Sequence, residues 1–244
     1  MPKVANLVEV FSSIQGEAKY VGYRQVFVRF TGCNLNCKYC DTSVSHNEHM
    51  QCSIEQVAGQ RNFSKMDNPI DIHTLAEKIN KLLILPHHSV SFTGGEPLCS
   101  ADFIHDIAKK INCKLYLETN GTLYHELEKI IHDIDIISMD IKLPSVTDKI
   151  LWEEHGHFLR IAKQKELFVK LVISGETTKE EFNQAIDLIA DVDCNIPLII
   201  QPVTPINNCT SVTPEEVLDY QEVALEKLND VRVIPQTHKF LDQM

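Results

Sequence analysis

The sequence has no apolar run long enough to cross a membrane. A transmembrane helix needs about 20 consecutive, mostly apolar residues, whereas clean runs here, such as Leu82–Leu85 and Ile196–Ile200, hold four or five residues. The opening Met1-Pro2-Lys3 leads into a mixed segment without the apolar stretch of a signal peptide. These absences predict a cytoplasmic protein with no membrane partner.

Positive charge is also scarce. The chain holds 23 Lys and Arg residues against 34 Asp and Glu residues, which gives a net charge of -11. This balance disfavours a broad nucleic-acid-binding face, although it permits a small basic pocket. We therefore expect no nucleic-acid partner.

No linker, low-complexity tract or internal repeat divides the 244 residues. Hydrophobic residues make up 43% and charged residues 23%, which is the composition of an ordinary globular protein. A chain of this length can bury a core without disulfides or a structural metal. We therefore predict a single domain over residues 1–244.

Short β-rich runs alternate with amphipathic helical segments, which is typical of βα units around a largely parallel sheet. A capping box at Thr74 and a proline after Thr213 indicate two helix starts. The predicted strands are residues 26–30, 89–92, 114–118, 135–139, 167–173, 196–201 and 231–235. A closed barrel has eight strands, so the pattern predicts an incomplete TIM-like βα barrel. The polar stretch 43–73 is predicted to be an insertion.

Polar and glycine-containing motifs follow five of these strands. In a parallel sheet such strand ends meet at one edge, where functional residues collect, so we expect the five motifs to face one cavity. They are a cysteine cluster after Phe30, Thr93–Pro97, Glu118–Gly121, Asp140–Lys142 and Gln201–Thr204.

The chain has eight cysteines, which a cytosolic protein uses as thiols or metal ligands rather than disulfides. Cys33, Cys37 and Cys40 fall within eight residues and can hold a compact metal centre. One interpretation is a structural zinc with Cys52 or His46 as the fourth ligand. The other is a 4Fe-4S cluster with one iron left open for a substrate or cofactor. The remaining five are interpreted as small buried hydrophobes: Cys52, Cys99, Cys113, Cys194 and Cys209.

The segment Gly32–Asp41, GCNLNCKYCD, resembles the cluster loop of the radical S-adenosylmethionine (SAM) superfamily. Thr93–Pro97, TGGEP, resembles the superfamily's second motif, whose backbone meets the SAM amino group. The resemblance implies a 4Fe-4S cluster on three cysteines, whose open iron chelates SAM. It also implies an external electron donor of the flavodoxin or ferredoxin type and cleavage of SAM to a 5′-deoxyadenosyl radical.

Motifs near both ends of the chain narrow the resemblance from the superfamily to one family within it. Glu9–Glu17 has the form E-x-F-x-x-x-Q-G-E and is similar to the N-terminal segment of the 7-carboxy-7-deazaguanine synthase family. Gln15 can donate to and accept from a pterin amide edge, and Gly16 allows close backbone approach; alone, such a tripeptide more often marks a surface turn. The ending, Gln236–Lys239, resembles the family's terminal sequence, which implies that it folds over the active site.

The family resemblance assigns individual residues, although Arg29 and Lys142 could equally be solvent-facing. Thr42 would bind Mg²⁺, and the fork of Arg29 would bind a substrate carboxylate. No side chain is assigned as catalytic, because the cofactor generates the radical. The cluster ligands are Cys33, Cys37 and Cys40. SAM contacts are implied for Tyr39, Cys40, Asp41, Gly95, Glu96, Glu118, Asn120, Ser138, Asp140, Lys142, Gln201, Pro202, Val203 and Thr204. Substrate contacts are implied for Ile14, Gln15, Gly16, Glu17, Arg29, Thr93, His238 and Met244.

The implied reaction converts 6-carboxy-5,6,7,8-tetrahydropterin to 7-carboxy-7-deazaguanine and ammonia, a step of queuosine and 7-deazapurine biosynthesis. The radical abstracts the hydrogen at C6, magnesium assists ring contraction, and SAM is regenerated. A homodimer is a family expectation only. Residues 43–73 match no functional motif, and His46, His49 and Cys52 there are interpreted as loop residues rather than a second metal site.

Two other functions stay open from the sequence. A glycyl-radical-enzyme activase shares the cysteine spacing but needs an open groove for a polypeptide. A zinc-stabilised binding module would use the same thiols for structure alone.

Overall fold

Strands and helices alternate along most of the chain. The computed structural model describes residues 3–40, 42–47, 49–207 and 209–243. The strands are β1 (Val4–Ala5), β2 (Leu7–Ile14), β3 (Arg24–Phe30), β4 (Gln51–Glu55), β5 (Phe63–Asp67), β6 (Ile70–Asp71), β7 (Ser89–Gly94), β8 (Leu115–Thr119), β9 (Ile136–Asp140), β10 (Glu166–Ile173), β11 (Leu198–Pro202) and β12 (Val231–Val233). The α-helices are α1 (Ile72–Leu82), α2 (Ala101–Ala108), α3 (Tyr124–Ile130), α4 (Pro144–Thr147), α5 (Trp152–Ala162), α6 (Lys179–Val192) and α7 (Pro214–Leu225).

One sheet organises the molecule, in the strand order β12-β11-β10-β9-β8-β7-β3-β2-β4-β5. From β3 to β12 all neighbours are parallel, and these are the seven predicted strands with ends shifted by a few residues. Among the described residues β12 pairs only with β11 and β5 only with β4, so the sheet does not close. The predicted incomplete α/β barrel is confirmed.

The parallel strands are apolar because both of their faces are covered. Every residue of β9 is buried, and β11 is buried except at its last position. Helices supply the outer cover: α1, for example, buries Leu75, Ala76, Ile79 and Leu82 against the core. Near-continuous apolar runs are what two-sided burial of a parallel sheet requires.

One of the two predicted helix starts is wrong. Helix α1 begins at Ile72 because Asp71 caps it, accepting from the backbone N–H groups of His73 and Thr74. Thr74 therefore lies inside the first turn and donates its hydroxyl to Asp71. The start at Thr213 is confirmed, with a reciprocal capping box to Glu216 and Pro214 at the first helical position.

The antiparallel edge of the sheet was not anticipated from the sequence. β2 pairs antiparallel with β3, and β4 and β5 form a hairpin that continues the sheet beyond β2. Much of the polar stretch 43–73 is therefore ordered sheet. No helix in the described part of the chain is both long and apolar enough to span a membrane.

Candidate functional site

A cavity of about 590 Å³ opens at the C-terminal edge of the parallel strands. Residues from all five predicted motifs line it, together with the N-terminal segment Ile14–Glu17 and the C-terminal residues Gln236, His238 and Lys239. The expectation of a single cavity at the strand ends is therefore confirmed. Chemistry-bearing groups distant in sequence meet there because parallel strands end on the same side.

The cysteine loop forms one wall of this cavity. Cys33, Cys37 and Cys40 all line it and are partly exposed to it. The loop is fixed by the Cys40 N–H, which donates to the Cys37 carbonyl at 3.1 Å, and by the buried side chain of Leu35. Burial raises the pKa values of the Cys33 and Cys37 thiols, so a metal must displace their protons on binding.

The second motif packs directly on the cysteine loop. A Cβ atom at Gly95 would lie 1.9 Å from the carbonyl oxygen of Gly32, so only glycine fits. The Gly95 N–H donates to the Phe30 carbonyl at 3.2 Å, and the Glu96 N–H donates to the Gly32 carbonyl at 2.8 Å. This backbone contact sets the two motifs side by side, as a cluster with a bound amino acid cofactor requires.

These residues fit an iron–sulfur cluster. Among the described residues, no three His, Cys, Asp or Glu side chains are grouped to hold one metal ion. A cluster gives each thiolate its own iron and does not need that convergence. Two other residues were considered as ligands. The Nε2 atom of His46 lies 3.6 Å from the Sγ atom of Cys40. Cys52, by contrast, is fully buried in the core.

The five scattered cysteines mostly behave as expected. Cys52 and Cys209 are buried, and Cys113 and Cys194 are partly buried. Cys99 is exposed, so its interpretation as a buried hydrophobe is wrong. It lies in a short 3-10 turn after the second motif, where the neighbouring Pro97 and Leu98 take the buried positions.

Two residues assigned to SAM lie outside the cavity lining. The carboxylate of Glu96 is buried and accepts from Leu98 N–H at 3.0 Å, Asn120 N–H at 2.7 Å and the Thr119 hydroxyl at 2.9 Å. Burial raises its pKa to about 7 against these donors. Glu96 therefore ties two cavity loops together. Pro202 ends β11, and its neighbours Gln201 and Val203 face the cavity instead.

Glu118 is hydrogen-bonded to two residues that are expected to contact the substrate. It accepts from the Gln15 amide at 2.8 Å and from the Thr93 hydroxyl at 2.7 Å. The other Gln15 N–H is donated to Gln25 at 3.1 Å. Gln15 Oε1 accepts from the Glu17 N–H at 3.0 Å and can accept one further hydrogen bond. With both N–H groups engaged, Gln15 can offer a ligand only that acceptor position.

Arg29 faces the cavity rather than solvent. Its Nε donates to Glu9 Oε1 at 2.9 Å, and each side chain retains 19% of its exposure. The guanidinium also lies over the ring of Phe11, 5.8 Å from its centre. Glu9 was not predicted as a site residue. Its place in the E-x-F motif, on a strand paired with β3, is the signal that could have identified it.

A chain of buried charges crosses the cavity floor. Lys142 Nζ lies 2.9 Å from Asp140 Oδ2, and Lys170 Nζ lies 3.2 Å from the same oxygen and 2.5 Å from Glu17 Oε2. Burial alone would raise the pKa of Glu17, but the Lys170 ammonium lowers it to about 2. Burial alone would lower the pKa of Lys142, and Asp140 instead holds it well above its usual value. Glu17 and Lys142 are therefore charged at neutral pH.

The C-terminal segment packs against the N-terminal segment Ile14–Glu17 beside the cavity. The Thr237 N–H and hydroxyl both donate to the Gly16 carbonyl, at 2.7 and 3.0 Å. A Cβ atom at Gly16 would lie 2.3 Å from His238. Gln236 donates to Glu17 at 2.7 Å. The C-terminal residues Gln236, His238 and Lys239 thus line the cavity, and their contact with a substrate stays a prediction.

The structure brings most of the predicted site residues together. In the lining are Ile14, Gln15, Gly16, Glu17, Arg29, Cys33, Cys37, Tyr39, Cys40, Thr42, Thr93, Gly95, Glu118, Asn120, Ser138, Asp140, Lys142, Gln201, Val203, Thr204 and His238. Asp41 and Met244 lie outside the described residues. Lys170 was missed, although a lysine within the apolar strand β10 is an unusual placement.

Comparison with known proteins identifies close relatives. The Radical SAM superfamily model matches residues 27–195. A 7-carboxy-7-deazaguanine synthase from Geobacter sulfurreducens is 43% identical over 248 residues, which cover 98% of each chain. A 7-carboxy-7-deazaguanine synthase from Methanothermobacter thermautotrophicus is 35% identical over 257 residues, which cover 97% of each chain.

A solved structure shares the fold. The crystal structure of QueE from Escherichia coli aligns over 96% of this chain and 95% of its own, with a TM-score of 0.61. Its sequence identity is 17%, so the likeness concerns the fold alone.

Proposed function

This chain belongs to the radical SAM superfamily and, within it, to the 7-carboxy-7-deazaguanine synthase family, and from that premise we propose that it converts 6-carboxy-5,6,7,8-tetrahydropterin to 7-carboxy-7-deazaguanine and ammonia. As a radical SAM enzyme it uses a 4Fe-4S cluster and SAM. The observation that carries the substrate assignment is the meeting of the cysteine loop, the Gln15–Glu17 segment and Arg29 in one cavity.

The chain's own residues would bind and orient. Cys33, Cys37 and Cys40 would hold the cluster, and the Gly95 backbone, which lines the cavity beside them, would meet the amino group of SAM. Across the cavity, Arg29 supplies a planar fork for the pterin carboxylate. Glu17 and the Gln15 amide oxygen offer acceptors to pterin N–H groups.

When bound, the cluster and SAM would supply a 5′-deoxyadenosyl radical that can take the hydrogen from C6 of the pterin. The C-terminal segment serves by excluding water from this site. Loss of one ammonia balances the conversion, so it consumes no net oxidant or reductant.

Magnesium is part of the proposal. The support is Thr42, which lines the cavity two residues after Cys40. A single neutral ligand suits a metal that keeps waters and takes its other ligands from substrate. An electron donor of the flavodoxin or ferredoxin type, a homodimeric state and a cytoplasmic location complete the proposal and are family expectations.

The test is an anaerobic assay of the reconstituted protein with the carboxypterin, SAM, a reductant and magnesium. We expect a deazapurine chromophore and free ammonia in equal amounts. Omission of magnesium, or Thr42→Ala, should lower the rate, whereas Thr42→Ser keeps the hydroxyl and should retain most of it. SAM cleavage without any deazapurine would contradict the substrate assignment while leaving the superfamily intact.

The packing of the C-terminal segment disfavours the activase alternative. An activase must admit a polypeptide segment, but here Thr237 bonds Gly16 beside the cavity and Gln236 bonds Glu17. The full-length relatives also carry the synthase name. Membership in the radical SAM superfamily replaces the zinc-module alternative.

A further inference from the structure

Lys170 joins the two halves of the cavity. It lies in the middle of β10 between apolar neighbours, and only 16% of its side chain is exposed. Its ammonium contacts Glu17, on the segment expected at the substrate, and Asp140, on the strand end expected at SAM. A buried lysine is costly unless it is paired, so this double pairing defines its position.

The two carboxylates differ in how fully they are engaged. Both oxygens of Glu17 have partners, Lys170 on Oε2 and Gln236 on Oε1 at 2.7 Å. Asp140 holds both lysines on Oδ2, while its buried Oδ1 finds no hydrogen-bond partner among the described residues. Asp140 can therefore accept more positive charge, whereas Glu17 becomes a stronger acceptor for a new donor when Lys170 moves away from it.

Lys142 connects this arrangement to the cofactor side. Besides Asp140, it lies over the ring of Tyr39 in the cysteine loop, 5.0 Å from the ring centre. An anionic group entering there, such as the carboxylate of SAM, competes with Asp140 for Lys142. Asp140 would then attract Lys170 more strongly, because opposite charges in a buried site interact strongly.

We propose that Lys170 is a positioning residue that couples SAM binding to substrate binding by shifting its ammonium between Glu17 and Asp140. SAM draws Lys142 toward its carboxylate, Lys170 turns to Asp140, and Glu17 is released to accept from the pterin. The coupling is positive, so each ligand strengthens the binding of the other. This inference rests on the proposed function for the identity of the second ligand.

Two variants separate this role from that of a structural counter-ion. Lys170→Met removes the charge and should abolish the coupling. Lys170→Arg keeps a permanent charge, so a merely structural role is preserved. Its rigid fork can keep separate N–H groups on the two carboxylates without shifting between them, and the coupling should therefore weaken while stability and iron content hold. Lys227→Met, which removes the exposed pair with Asp187, is the matched control.

The experiment measures affinities on the holoenzyme with its cluster oxidised, where no turnover occurs. The Kd of the carboxypterin is determined with and without SAM, and the Kd of SAM with and without the carboxypterin. In the wild type and Lys227→Met, each ligand should tighten the other by about fivefold or more, and by the same factor in both directions. In Lys170→Met the factor should fall to about one.

Each other outcome counts against the proposal. Equal coupling in the wild type and in both Lys170 variants would show that Lys170 only balances charge. Negative or absent coupling in the wild type would also overturn it. If Lys170→Met does not retain its cluster, Lys170→Arg decides alone. Wild-type protein that binds SAM but no carboxypterin would defeat the proposed function itself, and this inference with it.

Discussion

At the scale of single residues, the cavity is organised by charges that are paired before any ligand arrives. The formal charges sum to zero over the group Lys142, Asp140, Lys170 and Glu17. Arg29 is paired with Glu9. A chain of net charge -11 thus presents an interior that can still receive anionic ligands. A ligand carboxylate that reaches Arg29, Lys142 or Lys170 would therefore have to exchange partners with the carboxylates already there.

His155 gives a prediction at this scale. It is fully buried on α5 and donates from Nε2 to the Asn120 carbonyl at 3.1 Å, next to the cavity. Burial lowers its pKa from 6.5 to about 4. Between these values the unfolded chain binds a proton that the folded chain does not, so stability is complete above pH 6.5 and is lost as pH falls toward 4.

Because of His155, we expect the unfolding free energy of the holoenzyme to fall by about 1.5 kcal/mol when the pH is lowered from 6.5 to 5. Urea titrations across this range should show a shallower pH dependence in His155→Gln, which can still donate to Asn120 but does not ionise. His157→Gln, on the exposed face of the same helix, is the control. Identical slopes in wild type and His155→Gln would contradict the assignment.

At the scale of elements, the β4–β5 hairpin supports the C-terminal segment. Glu55 accepts from Ser12 N–H and from Arg61 N–H, both at 2.8 Å, which fixes the hairpin turn against β2. The Arg61 guanidinium then donates to the carbonyl of Asp242. The C-terminal segment is thus fixed at two points. Thr237, near the start of the segment, bonds to Gly16, and Asp242, near its end, bonds to Arg61.

Arg61→Ala should loosen this segment without touching the cluster. We expect the KM for the carboxypterin to rise about threefold to tenfold, as for loss of one charged hydrogen bond at a partly solvated site. Iron content and SAM affinity should not change. Lys65→Ala removes a bond to Ser53 within the same hairpin and should behave as wild type. An unaltered KM in Arg61→Ala would show that the hairpin has no such role.

Which elements could be predicted follows from their burial. The seven parallel strands are covered on both faces, so they read as apolar runs that end in polar motifs. β2 was missed because Glu9, Ser12 and Ser13 interrupt its apolar pattern. β5, with the sequence FSKMD, is exposed at four of its five positions and shows no apolar face.

At the scale of the whole molecule, the sequence motifs predicted where the candidate site lies. The structure adds which residues of that site contact each other. The cysteine loop and the glycine motif could be found because their spacing is local. The pairing of Lys170 with Glu17 spans 153 residues, and no local pattern encodes such a contact. Glu96 shows the converse: its motif position was recognised, but its burial and internal bonding emerge only from packing.

The whole-molecule claim is that one cavity holds the pterin with its C6 hydrogen within reach of the SAM-derived radical. The most direct measurement follows deuterium from carboxypterin labelled at C6 during anaerobic turnover. We predict deuterium in the recovered SAM, with many products formed per SAM consumed. Product formed with no label in SAM, or SAM cleaved in proportion to product, would contradict the account.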